Sequence, residues 1–118
     1  MGQIRYVGRR TKEGTHVTRE SDDGTSKPLP LRLDLAKKSP TGFEWGYNGS
    51  GPAQLALAML ADAIGDERAM PNLQRFKFAV VGRLPQMGWI LTQDEVLEWF
   101  AREAKPEEAD EFGVANER

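Results

Sequence analysis

The chain has 118 residues, with 39% hydrophobic and 29% charged side chains and a formal charge of −2. That is the size and balance of one globular domain, neither a disordered nor a membrane composition. It contains no cysteine and a single histidine, His16, which excludes disulfides, thiolate catalysis and the common zinc and iron–sulfur sites. No run approaches the roughly 20 apolar residues of a membrane span, and the N-terminus has no signal-peptide core, so a cytoplasmic protein is expected.

Charge is unevenly spread. Residues 1–40 carry nine Lys/Arg against five acids, whereas six acids crowd the last sixteen residues. One domain is expected over residues 1–105, followed by an acidic tail over 106–118 that reads as solvating or as a segment aimed at a basic partner.

In chain order, residues 4–9 and 15–19 are rich in β-formers around a Gly-containing connection, and predict a hairpin. Leu29, Leu31, Leu33 and Leu35 alternate with polar residues or proline, so residues 29–35 predict a half-buried third strand, with Pro28 and Pro30 placing its start at an edge. A loop rich in Gly and aromatic residues follows over 36–51. Pro52, a run of strong helix formers and Gly65 bound a first helix over 52–65 that is apolar nearly all round, and so belongs at the centre of the core.

Leu73, Phe76, Val80 and Leu84 share one face of a second helix, expected from Pro71 to about residue 82. Phe78 falls off that face and becomes a candidate exposed aromatic. Residues 89–91 are extended or a short strand. Thr92 and Glu95 form a capping box that opens a third helix, with Val96, Leu97, Phe100 and Ala104 buried and Trp99 on its shoulder. Lys105 and Pro106 end it. The expected fold is α+β: a small antiparallel sheet, made of the hairpin and a third strand, packed on three helices.

Chemistry is sparse. His16 has no nucleophile or carboxylate partner in view, His and Cys do not cluster as metal ligands do, and Glu44 is the only acid in the Gly/aromatic loop. No catalytic residue, metal or cofactor is expected, and enzymatic activity finds no support.

The loop itself is the most informative segment. Trp45, Tyr47, Asn48, Gly49, Ser50 and Gly51 precede a helix N-terminus, where free N–H groups and the macrodipole favour an anion. One reading is a phosphate or nucleotide cradle walled by Trp45 and Tyr47. Against it, the lysine of a P-loop is missing and Pro52 removes a donor. A structural loop, with Ser50 capping the helix and the aromatics closing the core, outweighs it.

The hairpin offers a third reading. Arg5 and Arg9 share strand parity, and Arg10 and Lys12 sit at the turn, as a nucleic-acid-tracking ribbon would require. The chain's pI of about 5.5 argues against it.

The stretch PLPLRLDL at residues 28–35, followed by SPTGFEWGYNGSGPAQLALA from Ser39, resembles a family of short, uncharacterised bacterial and phage proteins. YVGRR at residues 6–10, QRFK at 74–77 and WILT at 89–92 look like the same family's other landmarks. The likeness runs from about Tyr6 to Phe100. It supplies no activity, but it implies a small accessory or counter-defence protein of phages or mobile elements that binds a host protein. The family pattern is helical through residue 71, and Pro71 departs from it.

The leading expectation is therefore a non-enzymatic protein acting by protein–protein contact. Ligand binding at the loop comes second, and nucleic-acid binding by the hairpin third. The candidate binding residues are Arg9, Arg10, Glu44, Trp45, Tyr47, Asn48, Gly49, Ser50, Gly51 and Phe78.

Overall fold

The computed structural model describes residues 3–103. The acidic tail over 106–118 and the end of the third helix at Lys105 and Pro106 lie outside them. Strands β1 (Ile4–Thr11) and β2 (Gly14–Ser21) form the expected hairpin, with Gly14 at φ 122° closing the turn. β3 (Ser26–Pro28) pairs with β2, and β4 (Gly88–Thr92) pairs antiparallel with β1, so the sheet order is β3-β2-β1-β4. Helices α1 (Ser50–Ile64), α2 (Asp66–Ala79) and α3 (Gln93–Glu103) cover one face, and a single 3₁₀ turn (Val81–Arg83) follows α2. The α+β class is as expected.

The third strand is not where the leucine alternation put it. Regular pairing ends at Pro28. Leu29 still donates to the Val17 carbonyl (3.0 Å), but Pro30 has no N–H, and Arg32 turns the chain at φ 61°. The Leu35 N–H then bonds back to the Arg32 carbonyl (3.0 Å). Arg32 is held in that left-handed geometry by Asp34 (3.0 Å) and Asp66 (2.8 Å). Leu29 is buried, Leu31 and Leu35 pack against the core and Leu33 is exposed. The leucines cover the core as a loop, not as a strand.

The second helix starts earlier than proline reasoning allows. Gly65, at φ 95°, ends α1 and begins α2 at once, with the Ala69 N–H donating to its carbonyl (3.1 Å). Pro71 is the sixth residue of α2 and forfeits the bond to the Glu67 carbonyl. Burial of Ala69, Leu73 and Phe76 on one face outweighs that loss. The helix thus runs through residue 71.

α1 is the core helix: every residue from Gly51 to Ala61 is buried. Its one polar core residue, Gln54, accepts from the backbone N–H groups of Lys38 (2.7 Å) and Ser39 (2.8 Å). It donates to the Leu31 (2.7 Å) and Ala36 (3.0 Å) carbonyls. The buried amide is fully satisfied and pins the irregular 31–39 segment to the helix. At α3 the capping box forms as expected, Thr92 N–H to Glu95 Oε1 (2.8 Å) and Glu95 N–H to Thr92 Oγ1 (3.1 Å). Val96 and Phe100 are buried as expected, Trp99 is buried too and not on the shoulder, Leu97 is exposed, and Ala104 lies outside the described residues.

Candidate functional site

The Gly/aromatic loop folds against the start of α1 because small residues let it. A Cβ on Gly51 would sit 2.7 Å from Glu44 Cβ, so only glycine lets the helix approach the loop this closely. Gly46 takes φ 87° and turns the chain beneath Trp45. Trp45 is fully buried. Its indole N–H donates to the Gln86 carbonyl (3.0 Å), and its ring meets Trp89 edge-on at 5.5 Å. It is a core residue.

Arg10 straps this loop to the sheet. Its guanidinium forks onto Glu44 (3.2 and 2.9 Å), donates from Nε to the Gln86 carbonyl (2.9 Å) and lies 4.9 Å from the Trp45 ring centroid. The Arg10 hydrogen bonds hold the Glu44 carboxyl below the usual carboxylate range. Ser50 does not cap α1: Gly49 occupies the cap position, and no side chain bonds the first turn. Asn48 instead lies over Gly82, with Asn48 Cγ 3.2 Å from where a Gly82 Cβ would be.

Beside the loop opens a cavity of about 410 Å³ whose lining includes Glu13, Ser39, Thr41, Glu44, Tyr47 and Ser50. Of the sequence-derived candidates, Glu44, Tyr47, Ser50 and Gly51 line it. Trp45, Asn48, Gly49, Arg9, Arg10 and Phe78 do not. Among the described residues two carboxylates line it and no Lys or Arg does, so its electrostatics oppose a phosphate. Of the two expected aromatic walls, Tyr47 lines this cavity with Ser50 and Gly51, whereas Trp45 does not.

The hairpin arginines are shared between the two faces of the sheet. Arg5 and Arg9 point away from the helices, and Arg10 points toward them. Each has an acid: Arg5–Asp22 (2.6 Å), Arg9–Glu20 (3.3 Å) and Arg10–Glu44 (2.9 Å). The face therefore presents near-neutral pairs in place of a basic stripe. His16 lies exposed beside Thr11 (3.2 Å). Phe78 is exposed as expected, with Lys77 Nζ 4.3 Å from its ring centroid. Among the described residues, no three His, Cys, Asp or Glu cluster as a metal site, and no helix is long and apolar enough to cross a membrane.

What sequence reasoning missed is the state of the sheet edges. The Asp22 N–H donates to the Gln3 carbonyl (3.2 Å), which makes the odd residues of β1 the ones bonded to β2. The even residues then bond β4 through Tyr6–Leu91 and Gly8–Trp89. The backbone N–H and C=O of Gly88 and Ile90 consequently point away from the sheet. The Ile90 side chain, 64% exposed, stands on the face opposite the helices. The same parity at β3 directs Ser26 and Pro28 outward, and Pro28 has no N–H to offer. Among the described residues, one edge is blunted by proline, whereas the other is open. The alternation of Trp89, Ile90 and Leu91 was the available signal, but nothing local in it shows that β4 lies at an edge.

A family model described as Family of unknown function (DUF6166) matches residues 6–102, and the chain belongs to that family. No curated protein and no solved structure matches the chain.

Proposed function

We propose that this DUF6166 member is a non-enzymatic binding protein, and that a partner protein adds an extended strand to the outer edge of β4. The observation that carries this reading is the asymmetry of the two edges. β3 is short and proline-blunted, whereas β4 presents a backbone at Gly88 and Ile90 that is free among the described residues, beside an Ile90 side chain left 64% exposed. Strand addition draws affinity from such main-chain groups and specificity from alternate side chains. The exposed Met87, next along the chain, extends the apolar strip. Action in the cytoplasm on a host complex, as an accessory or counter-defence protein of a phage or mobile element, is the form of this proposal that the family resemblance suggests.

Ile90→Pro tests it. The substitution removes an outward N–H without touching the ladder to β1, a place where edge strands accept proline. Full-length protein used as bait in a lysate of the source cell should retain a stoichiometric partner, and Ile90→Pro should weaken retention by about tenfold or more while the circular dichroism spectrum is unchanged. Sedimentation of both forms separates a second copy of the chain from a foreign partner. A partner held equally by Ile90→Pro would overturn the reading.

A further inference from the structure

Beneath the sheet, Tyr6 of β1, Arg19 of β2, Asp62 of α1 and Gln93 of α3 build a polar cluster across four elements. Asp62 Oδ2 accepts from the Tyr6 hydroxyl (2.7 Å), Arg19 Nε (2.8 Å) and Gln93 Nε2 (3.4 Å). Gln93 also donates to the Tyr6 hydroxyl oxygen (2.9 Å). Tyr6 is fully buried. The cluster holds the Asp62 carboxylate, and through it the Arg19 guanidinium, in one orientation.

That orientation leaves work undone. Among the described residues, the two Nη atoms of Arg19 and Asp62 Oδ1 have no hydrogen-bond partner. Arg19 and Asp62 both line a cavity of about 330 Å³ completed by Lys27, Pro28 and Pro30. Arg19 and Lys27 are direct cross-strand partners, so two cations stand side by side on one face, an arrangement that ordinarily destabilises a sheet. Asp62 answers only one of them, and Lys27 makes no ion pair among the described residues. A local rule broken at a cavity marks a place where a ligand supplies the missing charge.

We propose that this cavity binds a small monocarboxylate bearing a hydrogen-bond donor on the adjacent carbon, such as a 2-hydroxy or 2-amino acid. The Arg19 fork matches a planar carboxylate, Lys27 supplies the second cation, and Asp62 Oδ1 accepts from the neighbouring hydroxyl or ammonium. The lining carries two cations and one carboxylate, which suits a ligand with a single carboxylate whose neighbouring hydroxyl or ammonium faces Asp62. A phosphate dianion would instead meet the Asp62 carboxylate at close range.

The site is independent of the β4 edge, and its test uses the full chain with glycolate, glycine, acetate and inorganic phosphate as probes, followed by nitrogen-15 NMR. Glycolate or glycine should shift the resonances of Arg19, Lys27 and Asp62 saturably and bind several-fold more tightly than acetate. Lys27→Gln, at an exposed position, should weaken that binding about three- to tenfold with the rest of the spectrum unchanged. Phosphate binding as tightly as glycolate, Lys27→Gln leaving affinity unchanged, or no saturable shift at high millimolar probe would each overturn the assignment.

Discussion

Replacing Gln54 by Leu should unfasten the irregular half of the molecule from its core helix. The side chain is fully buried and makes four hydrogen bonds, two accepted from Lys38 and Ser39 and two donated to Leu31 and Ala36. Leucine keeps most of the volume and removes all four. At about 1 kcal/mol net for each neutral bond the loss approaches 4 kcal/mol. The Lys38 backbone lies in an exposed residue and regains water cheaply, which brings the expected destabilisation to about 3 kcal/mol. For a domain of this size that lowers Tm by roughly 10–20 °C. Urea titrations followed by circular dichroism measure the change directly, with an unaltered m-value showing that the unfolded reference is the same. Gln54→Glu is the informative companion, because its carboxylate still accepts from Lys38 and Ser39 but faces the Leu31 and Ala36 carbonyls with no donor. It should therefore destabilise as well. If Gln54→Leu costs under about 1 kcal/mol, the 31–39 segment is held by its leucines and the amide clamp is incidental.

Three further outcomes follow from the same geometry. Gly8→Ala places a methyl group 2.6 Å from Trp89 Cζ2; displacing that ring should cost about 1–3 kcal/mol and shift the tryptophan emission, and an unshifted spectrum with full stability would contradict the packing. Tyr6→Phe removes the hydroxyl shared by Asp62 and Gln93 and should cost about 1 kcal/mol or more in thermal melts. Glu44 titrates below its ordinary range because of its Arg10 hydrogen bonds, and Asp66 does so because of Arg32. Their stabilisation is present above the unfolded carboxylate range of about pH 4 and is lost as pH falls through the lower folded values. Denaturation midpoints should therefore decline below about pH 4.5, and Glu44→Gln should flatten that decline.

Local rules read most of the elements. The hairpin, the buried α1, the capping box of α3 and the exposed Phe78 were all legible because each is decided by neighbours within a turn or a strand. The failures share a cause. Alternating leucines at residues 29–35 satisfied a strand's period, but period says nothing of whether a neighbouring strand can accept the segment, and Pro30 leaves it no donor at a key register. Pro71 looked like a helix start, yet the tertiary burial of Ala69, Leu73 and Phe76 is worth more than one missing bond. Trp45 and Tyr47 looked equivalent two residues apart. Only the fold shows that one is fully buried while the other is 49% exposed.

The charge asymmetry of the sequence likewise changes meaning once the chain is folded. The basic first third reads as a patch when its residues are counted along the chain. In three dimensions Arg5 and Arg9 meet acids of the same hairpin, whereas Arg10, Arg19 and Arg32 reach Glu44, Asp62 and Asp66 from later segments. A nucleic acid would have to displace those carboxylates before gaining a phosphate contact from these arginines, which offsets the counterion release that drives such binding. The arginines are thus largely used to fasten loops and helices to the sheet. Two accessible features are of a different kind: the backbone of β4 beside Ile90, open among the described residues, and Lys27 with the outward half of Arg19 above Asp62. The binding proposed above would depend on strand geometry and on the Arg19–Lys27 pair, which has one carboxylate among the described residues, and not on bulk charge.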